Sequence, residues 1–570
     1  MKVKFLILAL AFSGSAYASP AGEGKWLEQG WSKDERQYWH YLSLGQAIAP
    51  VSWLQSLEIG QSNNLLLDRR YLEGLGFQFE EKNSHNPLGL PIGFAVAPSD
   101  SPVKGHFGLT CSACHTGQIS YKGNILRFDG GTTNFDISNL LGDFYGSLAI
   151  TLKDQSKWNK FAARVQKIED ISEPELRKKV EKAVQDVGWA NQATAKAPGK
   201  AVDSGPGRAD ALNRIGNYIF GQRLLVSSNY HQSNAPVNYP PLWDIWKFNW
   251  VHYNASFAQP MARNILQVLG NNGTTNFIDS QGAPVQGEDK WKTSIDFVGA
   301  SKMEASFRQL SSPKWPTSTL GEVDSNAAKK GKVLFEKNCS SCHAPYPVRA
   351  PENLKAKLAV ATVPLEIIGT DPAHAKTYNE RRYNLAKLTR DSSPVSGSDG
   401  LTLAIDQIRN YGYDRLNLDK QKREEMNGFG RENKIRAPLA YKARTLDGVW
   451  ATPPYLHNGS VPNVYELLSP SSERSKQFWT GGYEYDPVNL GYVTSKGSGN
   501  YFLFDATVSG NLNHGHEFND GKGKGIIGRK LSKNERLELI EYLKVLDQDP
   551  PKANQEVSID WEWSKRRKSN

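Results

Sequence analysis

The sequence predicts a mainly α-helical protein with long irregular loops, arranged as two domains that hold large insertions. Three observations carry that expectation. Two Cys-x-x-Cys-His runs, Cys111-Ser-Ala-Cys114-His115 and Cys339-Ser-Ser-Cys342-His343, stand far apart in a chain of 570 residues. Segments 33–48, 135–152, 153–200, 260–269 and 325–335 read as helices. The helix that Ser532-Lys-Asn-Glu535 begins as a capping box puts Leu539, Ile540, Leu543 and Leu546 on one face.

Each Cys-x-x-Cys-His run has the residue types that covalent haem attachment needs. Two thiols three residues apart can add to the vinyl groups on one porphyrin edge. The histidine that follows is then carried under the ring as the proximal iron ligand. The two runs use all four cysteines, so no thiol remains for a disulfide or a tetrathiolate site. The sequence therefore predicts two covalently bound haem c groups. Cys111 and Cys114 hold one, with His115 on its iron; Cys339 and Cys342 hold the other, with His343 on its iron. Zinc binding is the competing reading.

In chain order, Lys2 and Lys4, an apolar run from 5 to 12 and Ala16-Tyr-Ala18 come first. They predict a signal peptide over 1–18 and a periplasmic or secreted protein. The apolar run is too short for a membrane span. A first haem domain is expected over 19–320. In it Trp26, Trp31, Trp39 and Trp53 wrap helix 33–48 onto the rest of the domain, and the proline-rich stretch 83–102 reaches the first motif without regular structure. A short hairpin follows over 117–131. Segment 193–205 reads as a mobile loop. The second haem domain, 321–570, opens with helix 325–335 just before Cys339 and closes with the helix after Ser532. First and last helices packed across a haem are the minimal cytochrome c arrangement, so 345–530 holds the insertions.

Composition works by exclusion. The formal net charge of +10 is spread along the chain, and haem propionates would lower it. No nucleic-acid motif accompanies it, so no DNA or RNA partner is expected. An aromatic content of 11% with 15 tryptophans suits packing around wide flat rings.

Reactivity depends on what stands above each iron. Two strong protein ligands give an electron carrier, whereas an open face admits dioxygen or peroxide. No histidine follows His115 until His231, so the first haem has no close second ligand. His231, His252 or Met261 could reach it from afar, or its face stays open. At the second haem the candidates are His374, His457, His514 and His516, any of which can equally be a packed or surface histidine. Trp243, Trp246 and Phe257 can be core, an electron relay or the wall of an apolar pocket.

The residues that carry a resemblance are Gly108-Leu-Thr-Cys-Ser-Ala-Cys-His-Thr-Gly-Gln118, Gly207-Arg-Ala-Asp-Ala-Leu212 and Tyr239-Pro-Pro-Leu-Trp243, with three later runs. Those are Asn254-Ala-Ser-Phe-Ala-Gln-Pro-Met-Ala-Arg-Asn264, Trp450-Ala-Thr-Pro-Pro-Tyr-Leu-His-Asn-Gly-Ser460 and Gly515-His-Glu-Phe518. Over roughly residues 26–546 the chain resembles the bacterial dihaem cytochrome c peroxidase superfamily, most of all its rubber-oxygenase-like branch. The resemblance implies a haem on His115 that has one protein ligand and binds dioxygen. It implies a haem on His343 with a second histidine, His516 first and His457 next. It matches Trp243 and Phe257 to the oxygen side. The implied partners are dioxygen and a small apolar substrate, or peroxide with a small cytochrome as donor. No methionine follows Met426, which departs from the peroxidase pattern.

Overall fold

The computed structural model describes residues 24–343, 360–497 and 501–548; the expected signal peptide lies outside them. Among the described residues 41% are helical and 14% are strand, the strands spread over eight small sheets. This corrects the expectation of a mainly α fold with two cytochrome c-like haem domains. The named strands are two to six residues long, and several pair segments remote in sequence. Strands of two or three residues are too short to show the alternation that marks a strand, whereas the six-residue strands are those of the expected hairpin.

The surroundings of the first motif account for much of the difference. Its four-residue helix Cys111–Cys114 follows strand His106–Leu109, the centre of a sheet with Ala49–Pro50 and Phe94–Val96. The chain then passes into the expected hairpin, Thr116–Tyr121 against Asn124–Asp129. The motif therefore sits between sheets rather than behind a long helix. Gly93 permits this: its φ is +93°, and a Cβ there would lie 2.3 Å from Cα of Ala113. Only glycine lets the strand press so closely on the motif. Helix Lys33–Tyr41, shorter than expected and capped by Ser32 and Glu35, holds the other side. The His40 carbonyl accepts from the Thr110 hydroxyl at 3.1 Å and the Ser112 hydroxyl at 2.8 Å.

The second motif keeps the expected helix pair. Helix Ser325–Asn338 leads into Cys339, and helix Lys533–Val545 starts from the Ser532–Glu535 capping box. Leu539, Ile540, Leu543 and Leu546 are all buried. The backbones meet at Gly331, where a Cβ would lie 1.9 Å from the carbonyl oxygen of Glu538. One turn on, Phe335 packs on Tyr542 with ring centroids 5.3 Å apart.

The larger core draws on residues from Leu27 to Leu546, so it includes side chains from both sides of position 320. A second core, from Ala49 to Val180, contains Ala113 between the first two cysteines. Helix Glu173–Lys196 runs into the first part of the expected loop 193–205. Helix Pro260–Gly270 stands where the sequence put it, buried on nearly every side. Among the described residues no helix is long and apolar enough to cross a membrane.

Candidate haem-binding sites

Both Cys-x-x-Cys-His runs take the same turn. The His115 N–H donates to the Cys111 carbonyl at 3.0 Å, and the His343 N–H to the Cys339 carbonyl at 3.0 Å. Cys111, Cys114 and His115 are surrounded by protein yet keep some accessible surface, as do Cys339, His343 and His516. Each set therefore borders an internal space. Burial pushes the thiols up, Cys111 to about 11 and Cys114 and Cys339 to about 12. Among the described residues no three His, Cys, Asp or Glu side chains converge as metal ligands. Neutral thiols beside an internal space fit thioether attachment to a porphyrin instead.

At the first motif, burial and then Arg263 push His115 down to about 3, against the pull of the Pro240 carbonyl on its side. Among the described residues its buried Nδ1 closes no hydrogen bond of ordinary geometry. The Tyr239 ring packs edge-on at 6.2 Å and 64°. The Cys111 thiol points at Sδ of Met303, 3.8 Å away.

At the second motif the orientation of the imidazole is fixed. His343 Nδ1 lies 2.6 Å from the Arg444 carbonyl. A carbonyl can only accept, so Nδ1 carries the proton and Nε2 keeps its lone pair for a metal. The His516 ring lies 6.1 Å from that of His343, centroid to centroid, with planes at 71°. Two imidazoles on opposite sides of one metal, each bonded at about 2 Å, have centroids roughly 6 Å apart. The observed spacing fits an iron between them. Burial, then His343 and Arg474, push His516 down to about 3, so it is a neutral donor at ordinary pH.

His516 adopts φ +46°, a left-handed conformation that costs a non-glycine residue about 1–3 kcal/mol and persists only where surroundings impose it. Buried Arg474 does so: its guanidinium donates to the carbonyls of Asn513, Gly515 (2.9 Å) and His516 (3.0 Å). The His516 N–H donates to the Ile368 carbonyl at 2.9 Å. Arg444 and Arg474 escape sequence reasoning because each acts through backbone carbonyls, which leave no side-chain pattern to read. Tyr239 was visible, since it lies in one of the runs that carried the resemblance.

None of the other candidate rings packs against His115 or His343 among the described residues, but His252 is near enough for His115 to act on it electrostatically. His457 stacks on Tyr441 at 3.9 Å and 24°, with His374 at 6.3 Å. His231 packs on Tyr383 at 5.2 Å. His514 Nδ1 is 2.6 Å from the Gly369 carbonyl. Met261 is fully buried in its helix. His252 lies 4.7 Å from the fully buried Phe257 ring, and burial followed by Arg263 takes it down to about 3. Trp243 is buried, and its Nε1 donates to the Asp447 carbonyl at 3.1 Å. The Arg444 guanidinium reaches the same carbonyl at 3.4 Å. A continuous set of hydrogen bonds thus joins His343, Arg444, Asp447 and Trp243.

These features define a cytochrome c-like haem protein. The family described as RoxA-like, cytochrome c-like matches residues 440–480, the stretch that holds Arg444, Asp447, Trp450 and His457. A cytochrome c-like segment implies haem c, and with it a haem-dependent oxidoreductase. The chain belongs to the same family as uncharacterized protein y4iJ of Sinorhizobium fredii (strain NBRC 101917 / NGR234). The two are 36% identical over 561 residues, 91% of this chain and 93% of y4iJ. Uncharacterized protein y4iM of the same strain is 30% identical over 373 residues, 62% of this chain and 73% of y4iM.

Proposed function

We propose that this protein is a periplasmic or secreted dihaem c-type dioxygenase that acts on an unsaturated apolar substrate at its N-terminal haem. The observation that carries the reading is an asymmetry. His516 faces His343 at 6.1 Å, while among the described residues the ring packed against His115 is that of Tyr239, on the Pro240 side. In this reading residues 19–320 hold the haem on Cys111, Cys114 and His115. Residues 321–570 hold the haem on Cys339, Cys342 and His343, with His516 closing its second face.

A haem with an open face supplies dioxygen activation when bound. The chain's own residues do the rest. Phe257 packs on His252, on which His115 acts electrostatically, and with fully buried Met261 it would keep the surroundings of the first site dry. His252, neutral down to about 3, does not deliver a proton there. Trp243 lies on the hydrogen-bonded path from His343, which suits an electron relay between the two sites. Cleavage of a carbon–carbon double bond into two carbonyl groups takes up both oxygen atoms and needs no net electrons.

The second reading is reduction of hydrogen peroxide with a small cytochrome as donor, and the Trp243 path favours it equally. Oxygen uptake with oleate or polyisoprene, set against peroxide-dependent oxidation of reduced cytochrome c, separates the two. Dioxygenase activity predicts uptake with an alkene. Rapid peroxide turnover with no uptake by any alkene would replace the first reading by the second.

A further inference from the structure

We propose that Arg263, Arg308 and Arg431 form a carboxylate-binding site on a cavity beside the first Cys-x-x-Cys-His run. All three line one cavity, together with Glu304 and the apolar rings of Trp246 and Phe429. Arg263 is buried, with 7% of its surface exposed, and it pairs with Glu304 and Asn264 through Nη2 alone. Among the described residues its Nε and Nη1 make no hydrogen bond. Arg431 donates to the carbonyls of Ala258 at 2.7 Å and Phe248 at 2.6 Å, and no carboxylate pairs with it among the described residues. Arg308 is exposed at the cavity, 5.0 Å over the Phe429 ring. The remaining acid of the lining, Glu425, is taken up by Lys422 at 2.9 Å.

The balance is an unmet positive charge in the interior. Burial, then Arg263, push the Arg431 guanidinium down to about 10. Cations held close without enough acids to match are destabilising, so a fold that gathers them calls for an anion. The planar fork of arginine matches a carboxylate in two parallel hydrogen bonds. Apolar rings beside the fork suit an acid that carries hydrocarbon rather than free phosphate.

The carboxylate has two possible sources, a propionate of the N-terminal haem or a soluble acid with an apolar tail; the first of these rests on the dihaem reading above. Both are tested on the full-chain holoprotein and on Arg308→Gln and Arg431→Gln, with haem stoichiometry from the pyridine haemochrome measured on each sample. Calorimetric titration with decanoate and with uncharged decanol tests the soluble source. Saturable binding of decanoate, weakened at least tenfold in both variants while decanol is unaffected, is the expected result for it. Potentiometric titration tests the other. If a propionate fills the site, decanoate does not bind, and Arg431→Gln lowers the reduction potential of one haem while the second stays put. Arg308→Gln sits at the surface, so it reports even if Arg431→Gln folds poorly. No decanoate binding together with unshifted potentials in both variants would overturn the proposal. A haem stoichiometry below two, with decanoate binding intact, would instead overturn the dihaem reading and leave the carboxylate site standing.

Discussion

The imidazoles of His343 and His516 face each other with centroids 6.1 Å apart, and backbone contacts set both. The Arg444 carbonyl fixes one ring, and the Arg474 clamp holds the loop of the other. With two haems bound as proposed, replacing His516 with alanine should therefore turn the C-terminal haem from low spin to high spin and leave the N-terminal haem unchanged. Replacing His457, whose ring is stacked on Tyr441, should leave both spectra as they are. Visible absorption of the ferric variants decides it, and an unaltered His516→Ala spectrum would remove that ligand.

Trp243 lends its indole N–H to the Asp447 carbonyl that Arg444 also reaches. Trp243→Phe keeps most of the ring volume and deletes this bond. Haem content and spectra should be unchanged, while turnover with substrate falls by about tenfold, the equivalent of about 1.4 kcal/mol at the barrier. Full activity in Trp243→Phe would show that the ring is only packing.

Two glycine substitutions should act in opposite directions. At Gly331 an added methyl meets the Glu538 carbonyl of the partner helix at 1.9 Å, and both are backbone-bound. Gly331→Ala should cost about 1–3 kcal/mol through overpacking, more than the gain in helix propensity returns. At exposed Gly142, on the outer face of helix Ile137–Lys153, the same methyl meets nothing within 4 Å. Gly142→Ala should add about 0.5–1 kcal/mol. Thermal unfolding of the two variants beside the parent checks the order.

His40 gives a pH signature. Burial works to lower its pKa, but hydrogen bonds to Asp129 at 2.8 Å and Glu80 at 3.3 Å outweigh it and raise the folded value. A raised histidine contributes stability that is complete below about 6.5, its unfolded value, and is lost as pH rises through the folded value. Glu80, held below its ordinary range despite the opposing effect of burial, loses its contribution only at acid pH. The stability gap between the parent and His40→Gln should be widest near pH 6 and narrow towards pH 9. A gap that widens with pH would contradict the charged His40. Because the His40 carbonyl holds Thr110 and Ser112, hydrogen exchange at the first motif should follow the same trend.

What the sequence could announce depended on how local the signal was. The Ser532 capping box and helix Pro260–Gly270 are written in neighbouring residues, and both stand as expected. The mixed α and β architecture was not legible, because strands such as Ala49–Pro50 and Lys25–Trp26 exist only by pairing with remote partners. His516 was reachable through Gly515-His-Glu-Phe518. Its clamp by Arg474 and the carbonyl of Arg444 were not, since both work through backbone atoms of residues distant in the chain.

The most direct test is low-temperature electron paramagnetic resonance of the purified ferric holoprotein. One low-spin signal typical of two imidazole ligands and one high-spin signal, in equal amounts, are the predicted result. Two low-spin signals would mean that both irons are closed, and the protein would be an electron carrier without a site for dioxygen.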